Sequence, residues 1–303
     1  MSLAHFSEKA VSVSTFLLTA LAMVAFAANS LLCRLALGGE TIDAASFTSI
    51  RVISGALTLV LISYAQRRPP SRRNASWRSA LALFAYMIFF SFAYISLGAA
   101  AGALILFGAV QLTMFAVALS AGERMPALGW FGLAIAFAGL VYLVSPGLSA
   151  PDPLGAALMA IAGIAWGVYS LLGRGASDPL AATTMNFILC APLVLVVSIA
   201  MHTNVHLSTA GIGYAVASGA LASGCGYVIW YAALRGLTAG KAATVQLSAP
   251  VIAAIGAVIL LSETITLRLV LASLATLGGV ALVLAQRSAS AMPKTGPAAQ
   301  RQA

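Results

Sequence analysis

An all-α membrane protein is the architecture to expect from this 303-residue chain: ten transmembrane helices in two inverted five-helix repeats around a central cavity. Three observations lead there. Hydrophobic residues make up 61% of the chain and charged residues only 8%, against roughly 25% in a soluble domain. The apolar residues fall into ten runs of about 20, the length needed to cross a hydrocarbon core roughly 30 Å thick. A series of short segments recurs, in order, about 140 residues further on. A soluble enzyme, a disordered chain and a collagen-like fibre are excluded by the first observation alone, because 16 basic and 7 acidic side chains cannot cover a soluble surface.

The spans are expected near 14–37, 43–65, 79–97, 101–121, 127–145, 153–173, 180–201, 209–234, 241–261 and 267–286. Helices are required, because unpaired backbone groups are not tolerated in lipid. Gly38-Gly39 closes the first run, Pro146, Pro151 and Pro153 separate the fifth from the sixth, and Asp178-Pro179 opens the seventh. Domain limits follow: an N-terminal segment 1–13, a first half 14–145, a second half 153–286, and a polar, disordered tail 287–303. The stretch Phe16–Phe26 with Ala25-Phe26-Ala27 resembles a cleaved secretory signal. Cleavage there would remove half of a repeat, so the span is expected to stay.

With both termini placed in the cytoplasm, every Lys and Arg except Arg34, Arg51 and Arg268 falls on the cytoplasmic side. That bias sets the orientation in an inner membrane and accounts for the net charge of +9 without nucleic acid. Cys33, Cys190 and Cys225 lie inside apolar runs and read as small packing residues.

The repeat pairs Ser30-Leu31-Leu32-Cys33-Arg34 with Ser170-Leu171-Leu172-Gly173-Arg174. It also pairs Asp43 with Asp178, Val110-Gln111-Leu112 with Val245-Gln246-Leu247, Glu123 with Glu263, and Gly139 with Gly279. Two halves of five spans face opposite ways, as in many secondary transporters, whose substrate sites lie between the halves at the midplane.

The ten spans, the repeat and the series Gln246, Leu247-Ser248-Ala249-Pro250 and Glu263 resemble the EamA-type drug/metabolite transporter superfamily over about residues 14–286. The first half departs from that pattern, with no proline and five fewer residues between Gln111 and Glu123 than between Gln246 and Glu263. That shortened fourth span is similar to the bacterial aromatic amino-acid exporters of the superfamily. The resemblance implies export of aromatic and other neutral amino acids by alternating access. A multidrug or cationic-dye exporter of the same fold is the rival, and a membrane-embedded enzyme is a more distant one.

No catalytic motif, phosphate loop or metal set is present, so neither enzymatic activity nor a cofactor is expected, and the partners are a small-molecule substrate and the lipid bilayer. His202 and His206 read as a solvated loop. The oligomeric state is open, a monomer included.

All seven acids fall in loops or at span ends, so coupling through a mid-span carboxylate is not expected, and Glu123 and Glu263 read as end caps or gate partners. Arg51 lies near the middle of the second span, on one face with Thr48, Gly55 and Thr58; the repeat matches this face to Thr183, Asn186 and Cys190. It has two readings, an interhelical anchor or a clamp for a substrate carboxylate. Trp77 and Trp130 suit interfacial belts, but Trp166 with Tyr169 is mid-span. Tyr86, Phe90 and Tyr94 form a stripe on the third span, and Ser223, Tyr227, Trp230 and Tyr231 another on the eighth. Such stripes serve packing or a site, and the resemblance places these helices around the cavity. Gln111 and Gln246 are amides inside spans, and Gln246 reads as cavity lining. Pro250 is expected to kink the ninth span, and Gly219, Gly224 and Gly226 to loosen the eighth. The pairs Gly98/Gly102, Gly163/Gly167 and Gly236/Gly240 fit close helix approach.

Overall fold

The structure is a computed structural model that describes residues 13–122, 126–147, 149–173, 176–237 and 239–290. The expected role of Glu123, the segment 1–12 and the tail from 291 therefore lie outside the described residues.

The described residues form twelve α-helices: α1 (Val13–Gly38), α2 (Ala44–Ala65), α3 (Trp77–Ala93), α4 (Ala99–Ser120), α5 (Ala127–Val144), α6 (Pro153–Gly173), α7 (Pro179–Ala200), α8 (Thr209–Val216), α9 (Gly226–Leu234), α10 (Ala239–Gln246), α11 (Ser248–Leu261) and α12 (Leu267–Ser290). A π-helical segment, Ala217–Cys225, joins α8 to α9 and makes the eighth span continuous over Thr209–Leu234. Among the described residues, nine helical stretches are long and apolar enough to cross a membrane. The chain is a multi-pass helical membrane protein.

Local chemistry sets the starts. Asp43 accepts from the Ser46 amide at 2.9 Å and caps α2, and Asp178 accepts from the Ala181 amide at 3.1 Å with Pro179 opening α7. Ser76 and Ser208 cap α3 and α8 in the same way. Each such cap satisfies an orphan amide and is worth about 1 kcal/mol.

Three boundaries differ from expectation. The third span ends at Ala93 rather than 97, because Tyr94–Ser96 turn back toward Gly98, which opens α4. The turn is itself apolar, so hydropathy could not mark it. The tenth span, α12, runs to Ser290, into the stretch expected to be disordered from 287. The ninth span is broken at Leu247, between α10 and α11. Pro250 has no amide to give to Gln246 and its ring crowds that carbonyl, so the break falls three residues before the proline. Pro192, by contrast, sits inside an unbroken α7.

Lipid supplies no hydrophobic drive for helix to meet helix, so close packing must do it. Gly132 of α5 and Gly279 of α12 face each other so closely that a Cβ on either would strike the other's carbonyl oxygen. Gly163 and Gly167 bring α6 onto the backbone of α4 at Leu106 and Val110. Gly219 of the π segment does the same against Arg51 and Ser54 of α2.

One end of the bundle holds Glu40, Asp43, Asp152 and Glu263. We call it the acidic end. Its loops are cross-linked. Glu263 accepts from the Ala99 amide at 2.8 Å and the Ala100 amide at 3.4 Å, at the start of α4, and pairs with Arg34 at 3.8 Å. Arg34 donates to the carbonyls of Tyr94 and Ile95. Ile42 and Leu207 form an antiparallel bridge, and Asp43 accepts from the His206 amide at 3.1 Å. Arg268 donates to the Ser145 carbonyl at 2.5 Å. Asp152 accepts from the Gly155 amide at 2.6 Å and the Ser96 hydroxyl at 2.9 Å, and these two donors, the amide first, hold its carboxyl below the usual carboxylate range.

Candidate functional site

The buried centre is built from rings. Trp166 of α6 lies 4.8 Å from Tyr86 of α3, 5.3 Å from Tyr227 of α9 in a stacked arrangement, and 5.4 Å from Tyr169 one turn along its own helix. Phe90 meets Tyr86 at 5.3 Å, and Tyr94 meets Phe90 edge-on at 4.8 Å. Phe26 of α1 touches Tyr227 and Trp230, and Phe187 of α7 touches Tyr227 from the other side. The i, i+4 spacing of Tyr86 and Phe90 and the i, i+3 spacing of Trp166 and Tyr169 put each pair on one helix face.

A small cavity of about 20 Å³ lies among Phe26, Asn29, Tyr86, Phe90, Trp166, Ser223 and Tyr227. That is room for about one water. The Trp166 ring, stacked on Tyr227 of its own half, lies against Tyr86 of the other half.

Polar groups at the same depth form two networks. In the first, Arg51 is fully buried. Its Nη2 donates to the Tyr86 hydroxyl at 3.1 Å and its Nε to the Ser223 hydroxyl at 3.4 Å. The guanidinium lies 5.0 Å from the Phe90 ring centre and 5.4 Å from that of Tyr86. Asn29 donates to the Tyr86 hydroxyl at 3.3 Å and accepts from the Ser218 hydroxyl at 2.7 Å. In the second, Thr183 and Tyr231 share a 2.9 Å hydroxyl–hydroxyl bond, Tyr169 donates to Thr183 at 3.4 Å, and Asn186 donates to Tyr169 at 3.5 Å. Among the described residues, three buried polar atoms stay unpartnered: Arg51 Nη1, Gln111 Nε2 and Asn186 Oδ1.

Of the residues singled out from sequence, Arg51, Tyr86, Phe90, Trp166, Tyr169, Tyr227 and Trp230 come together with Ser223. Tyr94 stands at the edge of this cluster, at the start of the turn after α3. Tyr231 and Asn186 belong to the second network. Gln246 is half-buried at the end of α10, beside the break at Leu247, and is not among the residues lining the central cavity. Pro250 is buried beyond that break, and Gly224 and Gly226 fall at the end of the π segment and the start of α9. Sequence inspection missed Asn29, Phe26, Ser218 and Phe187. Asn29 had a signal, as an amide inside a span next to the repeated Ser30-Leu31-Leu32.

Fold and site together define a multi-pass helical membrane protein with a ring-walled, partly polar pocket at mid-span. The model of the EamA-like transporter family matches residues 153–285. The uncharacterized protein PA1977 of Pseudomonas aeruginosa is 51% identical over 273 residues, which cover 90% of this chain and 95% of that one. A solved structure, titled only as the crystal structure of a protein, shares the fold, with a TM-score of 0.63 at 20% identity over 91% of this chain and 99% of its own. The second half of the chain, residues 153–285, is an EamA-like transporter family domain.

Proposed function

We propose that this protein is an inner-membrane secondary transporter that exports aromatic and other neutral amino acids by alternating access. The observation that carries this is the mid-span pocket itself: the stacked Trp166 and Tyr227 of the second half, met by Tyr86 and Phe90 of the first, next to a buried guanidinium. Each ring contact is worth roughly 0.5–1.5 kcal/mol, enough to select a ring-bearing solute yet weak enough to release it.

Two inverted halves are supported by how the helices neighbour one another. Exchanging the halves turns the α3–α6 contact into α9–α1, α4–α6 into α11–α1, and α2 against the π segment into α7 against α3, and every one of these contacts exists. The pairs α5–α12, α2–α7 and α4–α11 map onto themselves. A cationic cargo fits less well, since the charge it would meet at mid-span is that of Arg51. The described carboxylates sit at span ends, which favours export down a gradient over coupling through a buried acid.

Counterflow tests transport. Proteoliposomes loaded with unlabelled phenylalanine should accumulate labelled phenylalanine faster than protein-free vesicles. Equal rates for every neutral amino acid tried would sink the export function.

Orientation is tested separately. In inside-out and right-side-out membranes, a cysteine introduced as Ser71→Cys should react only from the cytoplasmic face and one introduced as Thr203→Cys only from the other. Both positions are exposed. The reverse labelling pattern would turn the topology over.

A further inference from the structure

We propose that Arg51 is the anion-binding group of the pocket, and that its free Nη1 takes the carboxylate of the cargo, so that the site selects ring-bearing solutes that carry a carboxylate. The transport part of this rests on the export function proposed above; the binding part does not.

The guanidinium is 0% exposed and sits on a span that crosses the bilayer. Every partner it has is neutral: two hydroxyls, from Tyr86 and Ser223, and the faces of two rings. No carboxylate among the described residues lies within ion-pair distance of it, and the acids nearest in kind, such as Glu263 with Arg34, are committed at the acidic end. A buried charge held only by neutral groups is costly, and removing its water is not repaid by hydroxyls alone. An anchor between helices needs no charge; a glutamine could hold Tyr86 and Ser223 at much lower cost.

The geometry says what the charge is for. Nε and Nη2 are occupied on one side of the fork, while Nη1 is buried and has no partner. Tyr86 and Ser223, which grip the occupied side, also line the central cavity with Phe90, Trp166 and Tyr227. The guanidinium therefore lies one side chain from the space where a ring would insert. A planar fork with a free nitrogen suits a carboxylate better than any neutral group. The aromatic faces over the guanidinium fix its plane, so little is lost in ordering it when the anion arrives.

The test uses the purified full-length protein in lipid nanodiscs and chloride-free buffer, with ligand-induced thermal stabilisation as the readout. The probes share one ring and differ in charge: phenylalanine, phenylpropionate (no amine) and phenethylamine (no carboxylate). Phenylalanine and phenylpropionate should bind, and phenethylamine should be about tenfold weaker or worse, the loss of a hydrogen bond to a charged group. Arg51→Gln should erase the preference, making phenylpropionate and phenethylamine equal, while Arg51→Lys keeps it at reduced affinity. If Arg51→Gln fails to fold, the ranking of probes on the parent and on Arg51→Lys still decides.

Phenethylamine binding as tightly as phenylpropionate to the parent would overturn the proposal. So would failure of all three probes to bind, or stabilisation by added chloride alone with nothing further from phenylpropionate. Counterflow separates the two claims. Binding of phenylpropionate without any amino-acid transport sinks export and leaves the clamp. Transport in which phenethylamine competes as well as phenylpropionate sinks the clamp and leaves export.

Discussion

Trp166→Ala is expected to cut the initial rate of aromatic amino-acid efflux about tenfold or more, because Trp166 meets three rings at once and each such contact is worth roughly 0.5–1.5 kcal/mol. Truncation also removes one of the two rings that stack across the pocket. Rates are measured per unit of membrane-inserted protein, so that any loss of folded protein is divided out. Trp166→Phe should recover most of the rate by restoring a ring face. Tyr231→Ala should have a smaller effect, through the loss of its bond to Thr183. Trp130→Ala, exposed on the outside of the bundle, should transport like the parent. A Trp166→Ala protein with the parent's rate would show that these rings are packing and nothing more.

Gly219→Val is expected to lower the thermal unfolding midpoint and to abolish transport. A Cβ at Gly219 would run into the carbonyl oxygen of Arg51 and the hydroxyl of Ser54, both on α2. Backbone cannot yield as a long side chain does, so the eighth span must move away from α2. Overpacking of this kind costs about 1–3 kcal/mol. The displacement also draws Ser223 from the guanidinium it holds at 3.4 Å. Gly213→Val makes the same chemical change where a Cβ would meet nothing within 4 Å, and should leave both midpoint and rate near the parent's. Equal behaviour of the two variants would mean that α2 and the π segment are not held in close approach.

Hydropathy made the bundle legible. Lengths of apolar sequence near 20 residues leave few alternatives in lipid, and Asp43, Asp178 and the prolines marked where helices begin. Turns made of apolar residues were opaque, as at Tyr94–Ser96, because a membrane protein has no need to make every turn polar. Arg51, Trp166 and Tyr227 stood out in sequence because charge and large rings are conspicuous at mid-span. Asn29 and Ser218 did not, since single small polar residues are common in spans and only their meeting, at 2.7 Å across two helices, gives them weight. The π segment was foreshadowed only by its glycines. Its wider hydrogen-bond spacing has no period of its own in hydrophobicity, whereas π turns often accompany functional sites. Gln246 shows the reverse case: the repeat drew attention to it, and in the structure it ends α10 beside the break at Leu247, outside the residues that line the central cavity.

On the alternating-access reading proposed above, the cross-links at the acidic end would make its opening an all-or-none event. Glu263 is at once the anion at the first turn of α4 and the partner of Arg34, and Arg34 in turn holds the carbonyls at the end of α3. Moving the loop after α11 would uncap α4, release Arg34 and free the turn between α3 and α4 in one stroke. Each of these contacts shares a member with the next, so on that reading the barrier to opening belongs to the set rather than to any one bond.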